Sequence, residues 1–195
     1  MKIKKWETAL IIGFVVALFF AQPLSVQASV ADKMTRLHVV ANSDSESDQQ
    51  LKLKVRDAVL KASEGHDTVS DALLTEMREA AQQCIYDNGY DYTVTVERGE
   101  MWFDTRDYDG FSLAAGYYDA VKVRIGQAQG KNWWCVIFPP LCAAVSEKEL
   151  AETAKAAGLS AKEISFISKD GNTCVLSFKL AELWGKLKKS LEKIK

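Results

Sequence analysis

Hydrophobic and polar positions change period several times along the chain, and each change marks an element. Ala9–Ala21 is apolar apart from Gly13 and carries no charge. Lys2, Lys4 and Lys5 precede it, and Pro23 follows, where a helix is expected to break. Thr35–Ala41 is a short β-branched and apolar run, the signature of a strand. Asn42-Ser43-Asp44-Ser45 follows, side chains that bond nearby backbone amides and so predict a turn leading into a helix cap. Leu51, Val55, Ala58 and Ala62 recur at helical spacing and predict a helix from about Glu46 to Ala62. Asp48, Lys52 and Arg56 stand four apart on its other face, with Asp48 ahead of Lys52 in the favourable ion-pair order. Val69, Leu73, Met77, Ala80, Ala81, Cys84 and Ile85 form a wide apolar stripe, predicting a second helix over Val69–Asn88 that Gly89 ends as a left-handed cap.

The period then becomes two. Tyr90, Tyr92, Val94 and Val96 alternate with Asp91, Thr93, Thr95 and Glu97, a half-buried strand. Trp102-Phe103 starts another, Asp104–Ser112 reads as a polar loop, and Val121–Ile125 alternates again. Asn132–Phe138 is apolar on both faces, as a central covered strand is, and Pro139-Pro140 ends it. Ser146-x-x-Glu149 is a capping-box pattern opening a helix that stops at Gly158. Ile164–Ile167 and Cys174–Lys179 are expected to pair as strands around Asp170-Gly171. A terminal helix over about 180–194 carries Leu180, Leu183, Trp184, Leu187, Leu191 and Ile194 on one side. Helices, then strands, then helices define an α+β domain: a mainly antiparallel sheet, two N-terminal helices on one face, and a C-terminal amphipathic helix.

The N-terminal pattern has a positive start, a short apolar core and small residues at Val26-Gln27-Ala28, which is the plan of a secretory signal cut after Ala28. The apolar core falls short of the roughly 20 residues that span a bilayer as a helix. Residues 1–28 are therefore expected to be a signal peptide and 29–195 a single domain; the alternative is an uncut membrane anchor. The chain of 195 residues has formal charge −1, and removing the leader with its three lysines and Glu7 takes the remainder to about −3. That balance gives no drive toward nucleic acid. Cys84, Cys135, Cys142 and Cys174 all lie in the exported part, where disulfides form. Cys135–Cys142 is the favoured bridge, because Pro139-Pro140 between them suits a chain reversal; the alternative is four buried thiols.

Chemistry is sparse. His38 and His66 are the two histidines, and neither stands in a metal-ligand spacing. His38 with Ser43 or a nearby aspartate is a candidate hydrolase pair, but no nucleophile elbow accompanies it. Gly126–Gly130 lacks the Lys-Ser/Thr of a phosphate loop. No cofactor, metal or catalytic set is expected. Trp133 and Trp134 are adjacent on a strand and so point to opposite faces; both can be core, or one can anchor a partner. Lys186, Lys188, Lys189, Lys193 and Lys195 make the terminal helix basic, suited either to a membrane surface or to covering the sheet with its lysines solvated.

Two stretches together resemble a known family. His38-Val39-Val40-Ala41-Asn42-Ser43-Asp44-Ser45, then Asp48-Gln49 and Lys52-x-x-Val55-Arg56-Asp57, resembles the first motif of the stage II sporulation protein R family. Gly116-Tyr117-Tyr118-Asp119-Ala120, then Gly130-x-Asn132-Trp133-Trp134-Cys135-Val136-x-Phe138-Pro139-Pro140-Leu141-Cys142, resembles the second. Asp104 and Ala114 stand where that family often has proline. The resemblance implies a non-enzymatic signal secreted into the space between forespore and mother cell. There it would activate a membrane-embedded aspartic protease of the mother cell that processes a sigma-factor precursor. Asn42, Ser43, Asp44, Asp48, Lys52, Arg56 and one of Trp133 and Trp134 are the candidate partner contacts.

Overall fold

The computed structural model describes residues 5–143 and 146–168. The strand expected over Cys174–Lys179, Cys174 itself and the terminal helix lie outside the described residues. The elements run α1 (Lys5–Asp32), β1 (Thr35–Val40), α2 (Glu46–Ala62), α3 (Asp71–Asp87), β2 (Val94–Phe103), β3 (Arg106–Asp107), β4 (Ser112–Leu113), β5 (Gly116–Ile125) and β6 (Asn132–Phe138). A 3-10 turn (Leu141–Ala143), α4 (Glu147–Ala156) and α5 (Ala161–Ile167) follow.

The main sheet has the order β2-β5-β1-β6. β1 runs parallel to β5 and antiparallel to β6, and β2 runs antiparallel to β5, so the sheet is mainly antiparallel. The fold is α+β. Among the described residues β6 pairs only with β1 and so ends the sheet on that side; its apolar residues on both faces reflect cover by helices and loops above and below. The strand expected at Tyr90 starts at Val94 and runs without a break through Trp102 and Phe103, paired with β5 over ten residues. The polar stretch 104–112 contains the small β3–β4 pairing.

One face of the sheet presents Leu37, Val39, Val121, Val123, Cys135 and Ile137. Against it lie Leu51, Val55 and Val59 of α2 and Leu73, Met77, Ala81 and Ile85 of α3, all 2% exposed or less. Full burial of such a side chain stabilises by about 1.5–3 kcal/mol, so this layer dominates the fold. Ser45 and Ser70 cap the two helices through their hydroxyls, and Gly89, at φ 80°, closes α3.

The other face carries Arg36, His38, Tyr118, Ala120 and Trp134. Arg36 is fully buried, with its guanidinium 4.0 Å from the Phe103 ring centroid and 4.8 Å from that of Tyr118. Its Nη2 donates to the Tyr108 hydroxyl at 2.6 Å. The ring faces offset part of the cost of burying the charge. Val26, Val30 and Met34 of α1 pack with Phe111, Leu150 and Leu159 at the end of this layer. Helix α1 is continuous through Pro23, contrary to the break expected there. The turns beyond the proline are held by the side chains that dock them rather than by local preference alone. Among residues whose side chains are described, no helix is long and apolar enough to cross a membrane.

Ile164–Ile167 belongs to a helix and not to a strand. Ser160 and Glu163 form a full capping box, each side chain bonded to the other's backbone N–H, and this local start signal overrides the apolar run.

A bracket ties the start of α2 to the β5–β6 loop. Asn42 Oδ1 accepts from the backbone N–H of Gln127 at 2.9 Å, and Asp44 Oδ1 accepts from that of Lys131 at 2.7 Å. The backbone N–H of Gly130 donates to the Ala41 carbonyl at 3.0 Å. A Cβ on Gly130 would run into the Ser43 carbonyl and the Ala41 side chain, so glycine is required there by space. Gly130→Ala is expected to cost about 1–3 kcal/mol of stability, the range for forced overpacking. Gly99→Ala, where a Cβ meets nothing within 4 Å, is the control; urea denaturation of both variants checks the difference.

Candidate functional site

The candidate residues divide into three groups. Asn42, Ser43, Asp44, Asp48 and Lys52 belong to the bracket. Asp48 is 4% exposed, and its Oδ2 accepts from Asn42 Nδ2 at 2.8 Å and Ser43 Oγ at 2.6 Å. Burial pushes the Asp48 carboxyl up, but bonds from Ser43, Asn42, Tyr92 and Ser45 outweigh it and leave it below the usual carboxylate range. Lys52, at 6% exposed, donates to Gln49 Oε1 at 2.6 Å and to the Lys131 carbonyl at 3.1 Å. The expected Asp48–Lys52 ion pair is therefore replaced by separate partners. On this face of α2, Asp48 is covered by the segment that precedes the helix and Lys52 by the β5–β6 loop.

Trp134 belongs to the second face of the sheet. The His38 ring stacks on it at 4.0 Å, and Arg106 lies 5.0 Å from its ring centroid. Burial pulls His38 down to about 4, against a hydrogen bond with Asn132 that favours the protonated ring; Lys122, Arg106 and Arg36 add to the lowering. His38 and Ser43 are not brought into a catalytic pair. Ser43 Oγ donates to Asp48, and the described contacts of His38 are with Trp134, Phe103 and Asn132.

Arg56 and Trp133 come together. The Arg56 guanidinium lies 4.9 Å from the Trp133 ring centroid and pairs with Asp57 at 2.7 Å. They form one end of a groove of about 620 Å³ between the second half of α2 and β6. Leu60 and Pro140 line it, His66 stands at its rim, and the Cys135–Cys142 disulfide forms part of its floor. The bridge joins β6 to the 3-10 turn, with Cα atoms 5.9 Å apart. Cys84 is a thiol on α3, and burial pushes its pKa up, which disfavours the thiolate. Among the described residues no cluster of His, Cys, Asp or Glu could hold a metal.

The second motif is also partly scaffold. Asp119 accepts from Thr35 Oγ1 at 2.9 Å and from Arg98 Nε at 3.0 Å. Tyr118 donates to the Ala114 carbonyl at 2.7 Å. Sequence reasoning missed two groups. Glu163 had a visible signal, the Ser160-x-x-Glu163 spacing. Arg36 had none, because a strand arginine is ordinarily solvated.

These features define a small disulfide-stapled α+β domain, with an open groove and no assembled catalytic set among the described residues. Residues 31–148 match the family Stage II sporulation protein R (spore_II_R). The chain belongs to that family, whose members are sporulation proteins. The Stage II sporulation protein R of Bacillus subtilis (strain 168) is 35% identical over 143 residues, covering 65% of this chain and 64% of the relative's own length. The chain thus spans less than two thirds of that relative. No solved structure matches it.

His38 gives the site a pH signature. Its folded pKa of about 4 lies below the ordinary 6.5, so the unfolded chain binds the extra proton and stability falls as pH drops from 6.5 toward 4. Glu163, held at about 2 against an ordinary 4.5, adds a separate loss only below pH 4.5. Thermal melts across pH 7 to 4 should show a decline of several degrees that His38→Gln largely flattens above pH 4.5.

Proposed function

We propose that this chain is an exported signalling ligand that activates a membrane-embedded aspartic protease from the extracytoplasmic side, leading to processing of a sigma-factor precursor. The proposed compartment is the space between forespore and mother cell, reached through the signal at residues 1–28. The observation that carries the reading is the position of the groove within the family match. Both of its walls, from Arg56 on α2 to Cys142 after β6, fall inside residues 31–148. Tryptophan and arginine are the residue types that most often anchor protein interfaces, and here they meet at one open surface. The bracket residues then act by holding that surface in shape rather than by touching the partner.

Activation requires only that the ligand bind the active protease more tightly than the inactive one. No bond need be made or broken by this polypeptide. The lysine-rich C-terminal stretch would keep the domain close to an anionic membrane surface. The rival reading, a hydrolase built on His38 with Ser43 or a nearby aspartate, has less support, since Ser43 is spent on Asp48 and His38 is stacked in an aromatic layer.

Co-expression with the protease and its precursor substrate in a non-sporulating host tests the proposal. Precursor cleavage should rise when this chain is exported. Arg56→Glu with Trp133→Ala should reduce activation at least ten-fold, corresponding to an interface loss of about 1.4 kcal/mol or more, while the protein is still secreted at normal level. Cleavage that does not respond to the chain at all would sink the reading. Unchanged activation by the double variant would move the interface away from the groove.

A further inference from the structure

The last turns of α1 are docked, and one of their side chains ends on a buried carboxylate. Glu163, on α5, is 4% exposed. Ser29 Oγ donates to its Oε1 at 2.6 Å, Lys33 Nζ to both oxygens at 2.8 and 2.9 Å, and the backbone N–H of Ser160 to Oε2 at 2.6 Å. Val30 and Met34, each 2% exposed, fix the same turns in the core. The nitrogen of Ser29 is three bonds from that Oγ, so a chain end freed at this residue has the carboxylate within reach. In the intact helix that nitrogen is an amide.

We propose that Glu163 is the receptor for the processed chain end: hydrolysis of the Ala28–Ser29 bond leaves the Ser29 α-ammonium seated on the Glu163 carboxylate. This rests on the reading of residues 1–28 as a cleaved signal. A signal peptidase adds water across the bond; Ala28 departs as a carboxylate, and Ser29 keeps an amine that takes up a proton at neutral pH. The cut also removes contacts. Val26 leaves the apolar layer, and Gln27, whose Nε2 donates to the Ala115 carbonyl at 3.2 Å and whose side chain fills the space above Gly116, leaves with it. The segment 29–34 would then be held by Val30, Ala31 and Met34 and by polar contacts at Glu163. An ammonium there adds a second cation to the carboxylate beside Lys33 and offsets part of what the leader took away. The carboxyl is poised for this role, since bonds from Lys33 and Ser29 already keep it ionised far below neutrality.

The test uses protein exported and processed by a secreting host, its N-terminus read by mass spectrometry. One glycine inserted between Ala28 and Ser29 displaces the ammonium by one residue. It should lower Tm by about 2–4 °C with Glu163 present, the scale of one charge-assisted contact in a domain of this size, and leave Tm unchanged in a Glu163→Gln background. Equal losses in both backgrounds, or none in either, overturn the proposal. Should Glu163→Gln not yield folded protein, acylation of the α-amine decides. It should be at least ten-fold slower in the parent than in the glycine-inserted form, and equal rates overturn the proposal. A parent protein that begins at Met1 refutes the signal reading itself, an outcome distinct from a processed chain whose amine behaves ordinarily.

Discussion

A buried carboxylate satisfied by neutral donors holds the two parts of this sheet to their helices. Asp48 sits in the first turn of α2, where the helix's positive end favours an anion. It takes bonds from Asn42 and Ser43, and Asn42 in turn reaches Gln127, 85 positions along the chain. Removing a carboxylate from water costs several kcal/mol unless its lone pairs are filled. Here they are filled by the segment that links β1 to α2. The same segment, through Asp44, carries the loop that starts β6. One charge therefore fixes three things together: where α2 begins, how it lies on the sheet, and where β6 is launched beside β1.

That arrangement explains why the open surface lies where it does. The first turns of α2 are closed off by the segment before the helix and by the loop bearing Gly126–Lys131, so Asp48 and Lys52 are spent internally. Beyond them the loop ends, and Arg56 and Leu60 face β6 across a gap. The Cys135–Cys142 bridge pins the far side of that gap by tying the 3-10 turn to β6. Pro139-Pro140 ends β6, and the side chains of Trp133 and Cys135 line the gap.

Local signals in the sequence read well and distant ones did not. The limits of α2 and β6 were legible because caps, glycines and prolines act within a few residues. The opposite directions of Trp133 and Trp134 followed from strand geometry alone. The burial of Asp48 and Lys52 was hidden, because it depends on the segment before the helix and on a loop roughly 80 residues further on, and helical spacing reports only which residues share a side. The pairing of β6 was hidden for a related reason: residues covered on both faces look central, yet among the described residues β6 pairs with β1 alone. The helix at Ala161–Ile167 had a readable start signal, Ser160-x-x-Glu163, which the strand reading of the short apolar run left out. Arg36 was invisible, since three aromatic rings from three separate segments create its environment only after folding.

Strand β1 sits in the middle of the sheet, yet it is the first strand in the chain, and both its neighbours are made last. Its parallel partner begins at Gly116 and its antiparallel partner ends at Phe138. The sheet cannot close until about a hundred residues after β1 have become available. Such long-range pairing is slow to form, because loop closure must precede the contacts that reward it. On the proposed route of export, that delay would keep the leading portion of the chain unfolded until nearly all of the domain has crossed.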